Sequence, residues 1–342
     1  MARIAIIGLG LIGGSLGLAL KRAQLRDMQI AGFARSRETR EKARRIGAID
    51  YAASDPADAV RDAAVVIIAT PIAAIPKTME LIAPALSEGC VVTDAASTKG
   101  RVMRWAEELL PPRVDFVGGH PMAGKETSGI DVAEAGLFEG RAYCIVPPVH
   151  AGETSVNAVV GLAELVGASP VFMDAEEHDS YVAAISHLPL VVSTALFSLV
   201  HDSAAWPELS QLASSGFRDV TRLASGSPEM SADICHSNAD NIVHWLDRMI
   251  AEIRKYRDLI RAGDEDTLLQ VFADVQRERD AFLSGAKPRR PQHTAEAKIS
   301  FSDLLMGHWA ASRTREVMKA VEDQEHSSRR GRKPKQRPTR ER

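Results

Sequence analysis

The chain has 342 residues, 45% hydrophobic and 25% charged, with a net charge of −3. That length suits two domains, or one large domain with additions, and the composition is that of an ordinary globular protein. Three widely spaced cysteines, Cys90, Cys144 and Cys235, indicate neither a disulfide framework nor a metal site and fit a reducing cytoplasm.

No secretory signal precedes the first apolar segment, Arg3–Ile7. The run from Ile4 to Leu20 is broken by five glycines, so it reads as strand, turn and helix rather than as a membrane span. Its turn is Gly8-Leu9-Gly10-Leu11-Ile12-Gly13, a dinucleotide fingerprint between a strand and the helix Leu11–Arg22. The first glycine permits the turn, the second lets backbone approach a pyrophosphate, and the third allows close helix–strand packing.

The second strand, Gln29–Phe33, continues into Ala34-Arg35-Ser36-Arg37. An NAD enzyme usually has an acid here for the ribose 2′-hydroxyl. This chain has none, and Arg35, Ser36 and Arg37 are suited to a 2′-phosphate, so NADP is expected ahead of NAD. Ser36 is also a plausible N-cap for a helix over Ser36–Ile46.

Three further strand ends are expected at the same crevice, as in open α/β sheets. Val65–Ala69 ends in Thr70-Pro71, a turn suited to pass beneath the cofactor. Cys90–Thr93 ends in Asp94-Ala-Ala-Ser97-Thr-Lys-Gly100, followed by a helix over Gly100–Leu110. Ser97 is a candidate to face the nicotinamide and also a candidate N-cap. Val114–Val117 ends in Gly118-Gly119-His120-Pro121-Met122-Ala123-Gly124, which reads as a rigid turn holding a histidine. Histidine is the side chain best suited to exchange a proton near neutral pH. Strands over Ala142–Val146 and Val171–Met173 complete a doubly wound, parallel α/β domain covering residues 1–172.

Residues 173–285 read as all-helical, with stretches over Glu176–Val200, Asn238–Arg261 and Glu265–Leu283, the first kinked near Pro189. Ile185-Ser186-His187-Leu188-Pro189 places a histidine that is either packed in the helix or a ligand. Gly216-Phe-Arg218-Asp-Val-Thr-Arg222 offers two cations on one helical face, suited to a small anion. The apolar faces exceed what one small helical unit covers, which predicts a homodimer. Residues 286–342 comprise a Pro/Arg linker, a possible amphipathic helix over Ile299–Val321 and a basic tail whose last fourteen residues carry +7. Without interleaved aromatics the tail reads as a solubilising extension, and nucleic-acid or membrane binding is not expected.

Four motifs in order, Asp94–Gly100, Gly119–Gly124, Ser186–Pro189 and Gly216–Arg222, behind the fingerprint at Gly8, make the chain resemble the prephenate/arogenate dehydrogenase family of tyrosine biosynthesis. The resemblance spans Gly8 to about Leu283 and implies a Rossmann-like domain joined to an all-α dimerisation domain. It also implies a substrate of prephenate or arogenate, oxidised with NADP or NAD. By the same resemblance His120 would be the catalytic base for the ring hydroxyl and Ser97 would orient that hydroxyl. Arg222 would bind the ring carboxylate, with His187 and Arg218 helping to hold substrate. One departure is that many relatives have Met-Trp-Arg-Asp where this chain reads Met230-Ser231-Ala232-Asp233, so a pocket-wall tryptophan is missing and the substrate's side chain stays open. Competing readings are a 3-hydroxyacid dehydrogenase, whose usual helical lysine motif does not stand out here, and a nucleotide-binding redox regulator using the basic tail.

Overall fold

The computed structural model describes residues 2–24 and 28–286. The expected linker beyond Ala286, the segment 299–321 and the basic tail lie outside these residues. Eight strands form one sheet: β1 (Ala2–Ile7), β2 (Met28–Phe33), β3 (Tyr51–Ala52), β4 (Ala63–Ile68), β5 (Val91–Asp94), β6 (Asp115–Pro121), β7 (Ala142–Val146) and β8 (Ser169–Phe172). Their order is β3-β2-β1-β4-β5-β6-β7-β8. The helices of this half are α1 (Leu11–Arg22), α2 (Arg37–Arg45), α3 (Pro56–Val60), α4 (Ile75–Ile82), α5 (Gly100–Leu109) and α6 (Glu153–Leu165).

Both faces of the sheet are covered, which explains why its strands are nearly continuous apolar runs. Successive side chains of β1 go to opposite sides: Ile4 and Ile6 join one core with Leu16, Leu20 and Ile67. Ala5 and Ile7 join the other with Val66, Ile68 and Met79. Each fully buried Leu or Ile contributes about 1.5–3 kcal/mol, so the double cover anchors the strand ends that build the crevice. Ser36 caps α2, its hydroxyl accepting from Thr39 N at 3.3 Å.

The expectation of a wholly parallel sheet needs correction. β6 pairs in parallel with β5 through Asp115–Val117, then switches partner and runs antiparallel to β7 from Gly118 to Pro121. β8 follows β7 in parallel. His120 therefore lies inside a strand rather than in a turn beyond one. Gly and Pro in the tract argued for a turn, but pairing with Tyr143–Val146 overrides that local preference. Gly119 is required by close approach: a Cβ there would meet Asp94 O at 2.6 Å and Thr93 Oγ1 at 2.9 Å.

The helical half comprises α7 (Ala175–Val182), α8 (Leu188–His201), α9 (Trp206–Leu212), α10 (Ser215–Thr221), α11 (Pro228–Ser237), α12 (Ala239–Ala262) and α13 (Glu265–Leu283). Between α7 and α8 a π-helical turn spans Ala183–His187. Pro189, in the first turn of α8, has no N–H to donate, and the widened turn just before it absorbs the irregularity. Ala183, Ile234 and Ile242 join the sheet's second core, so the two halves share packing. The run Ala175–His201 is long and apolar enough to cross a membrane by length and composition. It also carries the buried His178, Asp179 and His187. Apolar side chains stay exposed along α8, α12 and α13, among them Leu199, Ile253, Ile260 and Phe272.

Candidate active site

At the cofactor end, Gly8 has φ +104° and its N–H donates to Phe33 O at 2.8 Å, closing the turn after β1 against the end of β2. Gly10 precedes α1, whose N-terminus has no side-chain cap, and a Cβ on Gly10 would meet nothing within 4 Å. The protein thus keeps a side chain out of a space it does not fill, beside the N–H groups of Leu11, Ile12 and Gly13, which have no partner among the described residues. An anion fits such a cradle. Beside it, at the end of β4, the buried Thr70 hydroxyl has no partner among the described residues, and Pro71 follows it, exposed. These features fit a dinucleotide.

At the end of β2 the cations have local work. Arg37 is paired with Glu41 at 2.7 Å, and Arg40 donates to Ala34 O and lies over the Phe33 ring. Arg35 is exposed with no side-chain hydrogen bond among the described residues.

The centre of the site is a chain of three side chains. Asp179, on α7, accepts from Lys99 N at 2.7 Å, from Gly100 N at 2.8 Å and from His178 Nδ1 at 2.8 Å. It therefore caps α5 from another element, and the expected N-cap role of Ser97 is not taken up. His178 Nε2 lies 2.8 Å from His120 Nδ1. All three residues are buried, His178 completely and His120 to 8% exposure.

Charge states follow from these contacts. Burial pushes Asp179's carboxyl up, but the bonds from His178 and the two backbone N–H groups outweigh it and leave the group below its ordinary value. Burial holds His178 below its ordinary value despite Asp179. His120 is held well below its own, first by burial, then by repulsion from His178, Lys99 and His187 whenever these carry charge. Both imidazoles are then neutral, and the tautomers are forced. Asp179 can only accept, so His178 carries its proton on Nδ1. Its bare Nε2 then accepts from His120 Nδ1–H, and His120 is left with a lone pair on Nε2. That nitrogen is a proton acceptor held in one orientation.

Asp94, at the end of β5, fixes the floor. Its carboxylate accepts from Ala96 N at 2.9 Å and from Gly119 N at 3.1 Å, and is paired with Lys99 Nζ. Lys99 and Asp94 are both fully buried, and burial pulls the lysine below its ordinary value although Asp94 opposes it. Lys99 is thus a structural charge rather than a free cation for substrate, and Lys125 is engaged by Glu134. Ser97 is half-buried in the turn between β5 and α5, with no hydrogen-bond partner among the described residues.

From the helical half, His187 is buried in the π-helical turn, and burial brings it down to about 4. Its Nδ1 contacts Asn238 Nδ2 at 3.2 Å. Arg218 and Arg222 line one depression with Phe197, Thr221, Ala224 and Ser225. Arg222 pairs with Glu126, in the segment that follows His120, rather than with Asp219. The sequence named His120, Ser97 and His187, and did not single out Asp94's scaffold role, His178, Asp179 or Asn238. An available signal was the His-Asp pair on the helical run that also carries His187.

Comparison with known proteins identifies the family. A family profile described as "Prephenate dehydrogenase, nucleotide-binding domain" matches residues 16–172, and one described as "Prephenate dehydrogenase, dimerization domain" matches residues 174–274. The prephenate dehydrogenase of Bacillus subtilis is 38% identical over 279 residues, covering 81% of this chain and 75% of that protein. The A. aeolicus prephenate dehydrogenase, solved with hydroxyphenyl propionate and NAD+, superposes with a TM-score of 0.76 at 30% identity, over 82% of this chain and 98% of that one. The Synechocystis arogenate dehydrogenase superposes with a TM-score of 0.70 at 31% identity, over 82% and 99%. With the nucleotide-binding and dimerization profiles matched in order over most of the chain and a relative at 38% identity, the chain belongs to the prephenate dehydrogenase family.

Proposed function

We propose that the chain oxidises and decarboxylates prephenate to 4-hydroxyphenylpyruvate, with His120 as the proton acceptor. The observation that carries this is the Asp179–His178–His120 chain, which leaves one bare nitrogen, His120 Nε2, at the crevice. When bound, the nicotinamide supplies the hydride acceptor. His120 Nε2 accepts the ring hydroxyl proton as the carbinol C–H hydrogen departs with its electron pair as hydride, and a carbonyl forms. Loss of CO2 from the opposite ring carbon leaves its bonding pair in the ring, which becomes aromatic as the carbonyl oxygen takes the proton back from His120. As positive charge develops on His120, the line through His178 to the Asp179 carboxylate spreads it. Ser97 orients the hydroxyl, and Arg222 holds the ring carboxylate with help from Arg218 and His187.

Gly8, Gly10, Leu11, Ile12 and Gly13 hold the pyrophosphate, with Thr70 and Pro71 beneath the cofactor. Arg35 and Ser36 favour NADP over NAD, because no acid stands at residues 33–37 to receive a 2′-hydroxyl. Residues 1–172 form the cofactor domain and 173–285 the substrate and pairing domain. The exposed apolar face of Ala175–His201 is covered by a second copy rather than by lipid, and three unpaired cysteines suit a cytoplasmic setting. Arogenate is the second reading, favoured by Ser231 in place of the pocket-wall tryptophan.

The test crosses prephenate and arogenate with NADP and NAD, for the wild type and His120→Asn. Prephenate with NADP is expected to give the highest kcat/KM. His120→Asn is expected to lower kcat by about 10²–10⁴-fold with little change in KM. A near-normal kcat in that variant overturns the assignment.

A further inference from the structure

His187 is 1% exposed, its Nδ1 is engaged, and its Nε2 is buried with no partner among the described residues. The engaged side decides what the other side is. Asn238, 5% exposed, sits between α11 and α12, and its Nδ2 donates to the backbone carbonyl of Asp179 at 2.7 Å. Its Oδ1 accepts from Asn241 Nδ2 at 2.8 Å, so the amide cannot be turned round without opposing two like groups. The second hydrogen of Nδ2 then points to His187 Nδ1, 3.2 Å away, which must be the acceptor. His187 is neutral, since burial takes it to about 4, so its one proton sits on Nε2.

We propose that Asn238 is a positioning residue that locks His187 as an Nε2–H donor for a substrate oxygen. This rests on the function proposed above. Residue 179 becomes a hub: its carboxylate sets the tautomer of His120 through His178, and its carbonyl anchors the amide that sets the tautomer of His187. The two histidines are driven to opposite polarity, one showing a lone pair and one a proton. A site so polarised takes a ligand that brings a hydroxyl to the first and an acceptor oxygen to the second. A hydroxy acid meets both demands.

The titratable groups facing His187 are Asp179, His178 and His120. Asn238→Asp keeps the shape, replaces the Nδ2–H bond to the Asp179 carbonyl with an opposed oxygen, and offers a carboxylate that draws a proton onto His187 Nδ1. In that variant Nε2–H exists only while His187 is doubly protonated, so the donor disappears as pH rises. The first measurement is the nitrogen spectrum of selectively labelled histidines in the full-length wild-type protein without ligand. It is expected to show His187 protonated on Nε2, and protonation on Nδ1 overturns the proposal. The second is KM for prephenate against pH. The wild type is expected to be flat across neutral pH, and Asn238→Asp to rise about tenfold with kcat changing less, the size of one lost hydrogen bond to a charged group. Parallel profiles for the two proteins overturn it. The spectrum needs no substrate, so a chain inactive on prephenate would sink the function while the tautomer is decided separately.

Discussion

Asp179→Asn is the sharpest perturbation of the site, because it keeps the shape and changes only what the side chain accepts. The carboxylate receives three hydrogen bonds, from Lys99 N, Gly100 N and His178 Nδ1. An amide has one oxygen for these three donors. With the oxygen toward Lys99 and His178, the amide N–H groups oppose Gly100 N–H, which loses its partner at a cost of about 1–3 kcal/mol. With the oxygen toward Gly100, the amide donates to His178 Nδ1. His178 must then carry its proton on Nε2 and donate to His120 Nδ1, which puts the His120 proton on Nε2 and removes the acceptor. Both placements also remove the negative charge that stabilises a positive His120. A wrong tautomer of this kind costs about 10⁴ in kcat beside a serine-protease histidine. We expect kcat for prephenate to fall by about 10²–10⁴-fold with KM changed by less than about threefold, read from reduced-cofactor absorbance under saturation. A thermal melt confirms that the variant is folded. If the folded variant keeps kcat within about threefold of wild type, the relay does not set the His120 tautomer and the reasoning fails.

Three further outcomes are expected. Arg222→Ala should raise KM for prephenate by about 10–100-fold with a smaller effect on kcat, as expected for loss of a charge-assisted contact; an unchanged KM counts against a substrate role. Gly10→Ala should leave the melting temperature at or above wild type, since its Cβ meets nothing within 4 Å, while raising the cofactor KM by about tenfold or more. Unchanged cofactor KM would remove Gly10 from the cradle. His120, His178 and His187 all hold fewer protons folded than unfolded, so stability should be full above their ordinary value of 6.5 and fall as pH drops below it, for His187 down to about 4. Urea midpoints that stay level from pH 7 to pH 5 would contradict this, those pH values being chosen to lie on about either side of the ordinary histidine range.

Much of the cofactor end is written in local sequence, because a strand, a glycine turn and a helix N-terminus are neighbours along the chain. α1 and α13 occupy the expected spans, Leu11–Arg22 and Glu265–Leu283. The relay is not local. Glu176-Glu177-His178-Asp179 looks like the acidic first turn of a solvated helix, and only docking against the start of α5 buries His178 and Asp179. Lys99 has the same ambiguity in reverse: a cation beside a crevice suggests an anion site, yet its partner is Asp94, five residues earlier. β3 is two residues long and has no periodicity to read. The strand through His120 was hidden because its antiparallel partner, β7, comes more than twenty residues later.

The reversal of β7 and β8 also governs how the domains are joined. Because β8 ends level with Gly119 rather than at the far edge, only Met173 and Asp174 separate the sheet from α7. Two side chains clamp that joint: Asp179 on the start of α5, and Asp233, whose carboxylate takes Ala73 N–H at 3.0 Å. Hinged enzymes absorb closure in a few free backbone torsions between domains. Here a rotation about Met173 and Asp174 has to break those contacts, so closure at this joint carries their cost.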